Sequence, residues 1–129
     1  MPLIRIDVAE GRTPAQLRTL ADAVHEAMVA AFSVPARDRY QVIQTHPPGQ
    51  LILEDTGLGF ERSAGRVLVH VFSRPRTRVQ KETFYRGLSA MLLERCGLAP
   101  EDLVVSISSN ADDDWSFGFG RAQFLTGEL

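Results

Sequence analysis

Apolar and other side chains alternate over positions 3–8, with Ile4, Ile6 and Val8 on one side and Leu3, Arg5 and Asp7 on the other. That period of two predicts a half-buried strand. The period then changes, and Leu17, Leu20, Ala21, Val24 and Met28 recur at the spacing of one helical stripe. Thr13-Pro14-Ala15-Gln16 supplies the start of that helix. Threonine caps it, proline takes the first helical position, and glutamine is placed to close a capping box. The helix is expected to end near Ser33-Val34-Pro35, and Tyr40 to Thr45 reads as a second strand.

The same succession returns 64 positions later. Val67-Leu68-Val69-His70-Val71-Phe72 falls under the first strand, and Thr77-Arg78-Val79-Gln80 repeats the Thr-x-x-Gln cap. Phe84, Leu88, Met91 and Leu92 give a second helical stripe, which runs out at Cys96-Gly97 with glycine in the C-cap role. Leu103 to Ser108 supplies the second return strand, and Asp102 falls under Asp38.

Two copies of a β-α-β unit, about 2–46 and 66–109, followed by a tail over 110–129, predict one domain of the two-layer α+β class. Their strands join in a four-stranded sheet with both helices on one face. The opposite face is then apolar or half apolar, and closure by further copies in a symmetric ring is expected. Between the units, His46 to Arg62 holds Pro47-Pro48-Gly49 and Gly57-Leu58-Gly59, which is loop chemistry. Asn110 to Asp114 reads as a loop leading into the aromatic tail WSFGFGRAQFLTGEL.

Composition narrows the function classes. The chain has 129 residues, 44% apolar and 23% charged, and a formal charge of −2. Its scattered Lys and Arg argue against a nucleic-acid partner. No apolar run approaches the roughly 20 residues of a membrane span, and the start lacks a basic segment followed by an apolar signal core. A cytoplasmic protein with no membrane partner is expected. The single cysteine, Cys96, excludes an internal disulfide and reads as a buried helix-end residue.

Four places carry candidate chemistry. Pro2 stands directly before the first strand; with Met1 removed, it becomes a free secondary amine. Such an amine titrates near 8 and serves as base, acid or imine-forming nucleophile according to its neighbours. Its plain alternative is a residue that merely packs at a strand end. Arg74 and Arg76, in Ser73-Arg74-Pro75-Arg76, lie two apart in a stretch that Pro75 holds extended, so both can project to one side. Two guanidinium forks ahead of a helix N-terminus suit a carboxylate, against the alternative of two solvated arginines. Asp38 opens the second strand as either a turn residue or a carboxylate facing the amine or a water. A facing Asp38 would raise the amine's pKa, and the arginines would lower it. Trp115, Phe117, Phe124 and Leu129 form either a water-excluding wall or packing between subunits.

Other signals point nowhere. His25, His46 and His70 lack metal-ligand spacing, and Asp112 to Asp114 lacks the glycine and terminal glutamate of a calcium loop. No metal and no cofactor is expected.

An amino-terminal proline, a duplicated β-α-β unit and an arginine pair after the third strand together resemble the tautomerase superfamily. Within it the chain closely resembles the malonate semialdehyde decarboxylases, from PLIRIDV through PARDRYQ, LEDTGLGF and SRPR to DWSFG and FLTGEL. The resemblance implies a homotrimer in which Pro2 is the catalyst and Arg74 and Arg76 bind the carboxylate of a small oxo acid. It further implies that Asp38 assists Pro2 or positions water, and that Trp115, Phe117, Phe124 and Leu129 line an apolar wall.

The activity so implied is cofactor-independent decarboxylation of malonate semialdehyde to acetaldehyde and carbon dioxide. A tautomerase or hydratase of small 2-oxo acids on the same residues is the alternative. A dehalogenase of 3-haloacrylates fits less well, because such relatives add a tyrosine and a late glutamate. Here no tyrosine follows Tyr85, and Glu128 is the only late glutamate. A non-catalytic trimeric binding protein is the alternative from another class, and retention of Met1 would favour it.

Overall fold

Ile4, Ile6 and Val8 of the first strand and Val67, Val69 and Val71 of the third are wholly removed from solvent in the computed structural model, which describes residues 2–129. The period-two alternation has thus placed one row of each strand against the helices. The regular elements are β1 (Leu3–Ala9), α1 (Pro14–Phe32), β2 (Tyr40–His46), β3 (Val67–Ser73), α2 (Arg78–Cys96), β4 (Leu103–Ser109) and a short α3 (Gln123–Thr126). Single 3-10 turns occupy Pro100–Asp102 and Asp112–Asp114. The expected loop after β4 therefore contains one turn, and the tail one short helix.

The sheet order is β2-β1-β3-β4. β1 runs parallel to β2 and β3 parallel to β4, while the central pair β1 and β3 is antiparallel, with Ile6 opposite Val69. One consequence decides where chemistry can gather. The beginnings of β1 and β2 lie at the same end of the sheet as the terminations of β3 and β4.

The repeat is closely kept. Leu3 to Val67 and Pro14 to Arg78 are both displacements of 64, and each main helix has 19 residues. Both carry a complete capping box, Thr13 with Gln16 and Thr77 with Gln80. α1 stops at Ser33 and α2 at Gly97, each in the left-handed region that ends a helix. The return strands are displaced by 63 rather than 64, from Tyr40 to Leu103. Asp38 precedes β2 by two residues instead of opening it, whereas its apparent counterpart, Asp102, stands directly before β4. Asp102 lies at the other end of the sheet, buried, where it accepts hydrogen bonds from the backbone and hydroxyl of Ser63.

α1 and α2 pack side by side on the Ile4/Ile6/Val8 face. Leu20, Ala21, Val24 and Met28 from one and Phe84, Leu88 and Leu92 from the other fill the core, and the rings of Phe32 and Phe84 meet at 5.3 Å. Cys96 departs from expectation: it is exposed, as is the whole of the last turn of α2 beyond Leu92. It lines a cavity of about 290 Å³ with Arg12, Gln16 and Arg95, at the end of the sheet opposite Pro2.

The second face of the sheet is covered by neither main helix and is half polar. Strand register sets Tyr40, Leu3, Phe72 and Ser108 in one row, and Val42, Arg5, His70 and Ser106 in the next. Asp7 is buried on this face between Arg5, whose Nε donates to it at 3.1 Å, and His46, whose Nε2 lies 2.6 Å away. Burial by itself would raise the Asp7 carboxyl; the hydrogen bonds from His46 and Arg5 outweigh it and hold the group below its usual range. No helix among the described residues is long and apolar enough to cross a membrane.

Candidate active site

Pro2 is buried at the start of β1. Because Leu3 pairs with Phe72 in antiparallel register, the next position outward sets Pro2 across from Ser73, the last residue of β3. The chain then turns through Arg74-Pro75-Arg76 into the Thr77 cap of α2. The arginines are thus delivered to the tip of β1 by strand pairing alone. The N-terminus of α2 adds a field favourable to anions at the same corner.

Both arginines are half-buried and line one cavity of about 250 Å³ with Pro75 and Asp112. They do not present two parallel forks. Arg76 folds back, donating from Nε to Ser73 Oγ at 3.1 Å and from Nη1 to the Phe32 carbonyl at 3.3 Å, with its guanidinium 5.1 Å from the Phe32 ring centroid. Partial burial, and then the neighbouring charge of Arg74, push its pKa below the ordinary arginine value. It remains a cation at any physiological pH. Arg74 instead reaches out to Asp112, Nη1 to Oδ1 at 3.1 Å, and lies over the Phe124 ring at 4.1 Å. The turn between β3 and α2 sends the two side chains to different supports around one opening.

The aromatic residues form a connected set. Trp115 stacks on Phe117 at 5.3 Å, and Phe117 meets Phe124 edge-on at 5.3 Å and Tyr40 at 5.7 Å. Two polar anchors hold it. Trp115 Nε1 donates to Asn110 Oδ1 at 2.8 Å, and the buried Gln123 accepts from the Phe117 backbone N–H and donates to the Gly118 carbonyl, both at 2.9 Å. Leu129 lies outside the ring cluster and is largely exposed, yet borders the same surface.

Asp38 sits in the turn between α1 and β2. That turn is fastened by the Asp38 N–H to the Pro35 carbonyl at 2.9 Å and by the buried His25, whose Nε2 lies 2.7 Å from the Ala36 carbonyl. The Asp38 carboxylate makes no ion pair among the described residues. It lines a cavity of about 430 Å³ with Arg37, Tyr40, Phe117 and Leu129. Within a single chain, then, Asp38 and the arginines border two different cavities with no lining residue in common. The Phe117 and Phe124 rings, in contact with each other, stand between them.

Pro2, Asp38, Arg74, Arg76 and the aromatic residues come to one end of the sheet. Reasoning from the chain alone missed Asp112, Ser73, Phe32, Asn110 and Gln123. Asp112 was legible only as part of an acidic run; the remainder carry no pattern, since each acts through a contact that the strand order creates. Chemically, the corner offers two cations and an apolar flank at the end of the sheet where β1 begins, an arrangement suited to holding a small carboxylate.

Comparison with known proteins identifies relatives of the chain. Residues 38–118 and residues 2–61 each match the model of a family described as tautomerase enzyme. The chain is 50% identical over 129 residues to a probable tautomerase, YrdN, of Bacillus subtilis (strain 168), covering 100% of both chains. It is similar to a solved structure of malonate semialdehyde decarboxylase, a protein described as having decarboxylase and hydratase activities. That match has a TM-score of 0.96 and 54% identity over 98% of each chain. A second malonate semialdehyde decarboxylase, inhibited by 3-bromopropiolate, matches with a TM-score of 0.95 and 46% identity, covering 98% of this chain and 97% of the other.

Proposed function

This chain belongs to the tautomerase enzyme family, and from that premise we propose that it decarboxylates malonate semialdehyde to acetaldehyde and carbon dioxide without a cofactor. The observation that carries the reading is the β1/β3 register, which sets Pro2 against the turn bearing Arg74 and Arg76. The similarity to two malonate semialdehyde decarboxylases supports the choice of substrate.

In this reading the arginines grip the carboxylate and hold the carbon–carbon bond perpendicular to the carbonyl plane, so that its electrons enter the developing enolate. Holding the carboxylate has a limit as a source of rate. The arginines favour a charge that the reaction removes, so their grip is stronger on the substrate than on the transition state, and they contribute mainly binding and orientation. Stabilisation of the transition state falls to Pro2. As a protonated amine it donates a hydrogen bond to the aldehyde oxygen; as a neutral amine it forms an iminium with the aldehyde carbon. Either route accepts the electron pair left by carbon dioxide. Protonation of the enol carbon gives acetaldehyde directly; on the iminium route, whose formation releases water, protonation of the enamine carbon gives a second iminium that water hydrolyses to acetaldehyde and free Pro2. The rings of Trp115, Phe117 and Phe124 lower the solvation of the departing charge, and Asp38 orders water or tunes Pro2 across the aromatic partition.

We read the chain as one such domain and its working form as a homotrimer. The half-polar sheet face without helical cover supports assembly.

A hydratase or tautomerase activity on small 2-oxo acids is the second reading, favoured by the 50%-identical probable tautomerase. There Pro2 must be neutral and act as base. Carbon dioxide release from malonate semialdehyde by protein lacking Met1 tests the first reading. Absence of release alongside turnover of a 2-oxo acid or enol overturns it. Nitrogen-15 titration of Pro2 separates the chemistries, since a pKa well above 8 disfavours a base.

A further inference from the structure

We propose that Asp112 is a positioning residue, which orients Arg74 so that the side edge of its guanidinium faces the bound carboxylate. The inference rests on the reading of Arg74 as a carboxylate ligand and adds the group that aims it.

A guanidinium offers two donor edges, an end-on edge of Nη1 and Nη2 and a side edge of Nε and Nη2. Asp112 Oδ1 occupies Nη1 at 3.1 Å, and the ring of Phe124 covers one face at 4.1 Å. The Arg74 Nε is buried and has no hydrogen-bond partner among the described residues. Buried donors are almost always paired, so an orphan on a side chain lining a cavity calls for a partner that the polypeptide does not provide. A carboxylate in the opening shared by Arg74 and Arg76 supplies it, with one oxygen on Nε and the other on Nη2, the bidentate geometry that arginine favours.

The ion pair is not placed to stabilise the fold. The Asp112 and Arg74 side chains are 52% and 38% exposed, and pairs of that exposure contribute little to stability. What the contact does is restrict rotation of a long side chain about the Phe124 face. Asp112 reaches this position because Asn110 N–H bonds to the Ser73 carbonyl at 2.8 Å, which fixes the start of the tail to the end of β3. A turn then lifts Asp112 over the cavity mouth, with the Ala111 N–H donating to Asp114 at 2.8 Å.

Asp112 also carries a negative charge, so a mere competitor for Arg74 would behave in the opposite way on removal. That contrast defines the test. Propanoate binding is followed through the Arg74 15Nε–H resonance and by calorimetry, in the Met1-free wild type and in Asp112→Ala and Asp112→Asn. Melting temperatures are recorded beside them. Asn keeps the Oδ1 acceptor without the charge. The expected result is a propanoate Kd on the order of tenfold weaker in Asp112→Ala, within about threefold of wild type in Asp112→Asn, with the Nε–H signal shifting in both wild type and Asn variant. In turnover the Ala variant raises KM more than it lowers kcat.

Unchanged or tighter propanoate binding in Asp112→Ala shows a competing surface anion and overturns the proposal. Equal weakening in both variants overturns it as well, because the acceptor geometry is then not what matters. Wild type that binds propanoate with the expected Nε–H shift, yet releases no carbon dioxide from malonate semialdehyde, defeats the decarboxylase reading and leaves the positioning role intact. Wild type that binds no propanoate defeats the proposal.

Discussion

Arg76 donates from Nε to the hydroxyl of Ser73 across 3.1 Å, and Ser73 is wholly buried at the end of β3. The cation is therefore built into the corner where β3, α1 and α2 meet, and its direction is fixed before any ligand arrives. Arg76→Ala is expected to lower kcat/KM by about 10- to 100-fold, the worth of one or two charge-assisted hydrogen bonds. Arg76→Lys recovers little, since an ammonium cannot serve Ser73, Phe32 and a carboxylate in one plane. Steady-state kinetics, with a melting curve to separate folding from binding, checks both.

Pro2 acts only if its nitrogen is an amine. Protein that retains Met1, or carries an added residue there, has an amide nitrogen with no useful basicity. It is expected to fold with an unchanged circular-dichroism spectrum and to lose turnover to background. Intact mass assigns the processing, and borohydride trapping with substrate reads the route. A reduced adduct on the Pro2 peptide marks the iminium, and turnover without one marks hydrogen bonding.

The twin capping boxes provide a matched pair of variants. Thr13→Ala and Thr77→Ala each remove one cap, at a cost of about 1 kcal/mol in unfolding free energy. Thr77 begins α2 immediately after Arg76, whereas Thr13 begins α1 at the far end of the sheet. Thr77→Ala is therefore expected to raise KM for a carboxylate substrate, and Thr13→Ala to leave it unchanged. Equal effects on KM would show that general loosening, and not the local anchor, is responsible.

Asp7 ties stability to acid. Its folded pKa is held below the unfolded value by His46 and Arg5, so its contribution is present above the unfolded value, near 4. The contribution is lost as the pH falls through the folded value. Urea midpoints measured downward from pH 6 are expected to drop most steeply below about pH 4. Asp7→Asn flattens that part of the curve and costs about 1 to 3 kcal/mol at neutral pH, because a buried charge-assisted contact is lost.

Much of the fold was legible along the chain because its signals are short-ranged. Alternation over Leu3 to Val8, the stripe from Leu20 to Met28, two Thr-x-x-Gln caps and Gly97 each act through neighbours within a few positions. A duplicated pattern of this kind limits the possible sheets to very few. The return strands were legible at Tyr40 and Leu103, but matching Asp38 with Asp102 across the repeat did not show that the two carboxylates lie at opposite ends of the sheet. Cys96 looked buried, since it continues the spacing of Phe84, Leu88 and Leu92, but the final turn faces solvent.

The amino-acid order by itself determined the two β-α-β units, the ends of their helices and the presence of a proline and two arginines where strands begin and end. Only the tertiary structure decided what those side chains touch. Arg74 meets Asp112 because β3 and β4 pair in parallel and end together at Ser73 and Ser109, and Arg76 meets Phe32 because α1 and α2 pack side by side. Local periodicity follows from backbone geometry within a turn or two, whereas contacts between residues some forty positions apart depend on strand order and register, which no short stretch of chain encodes.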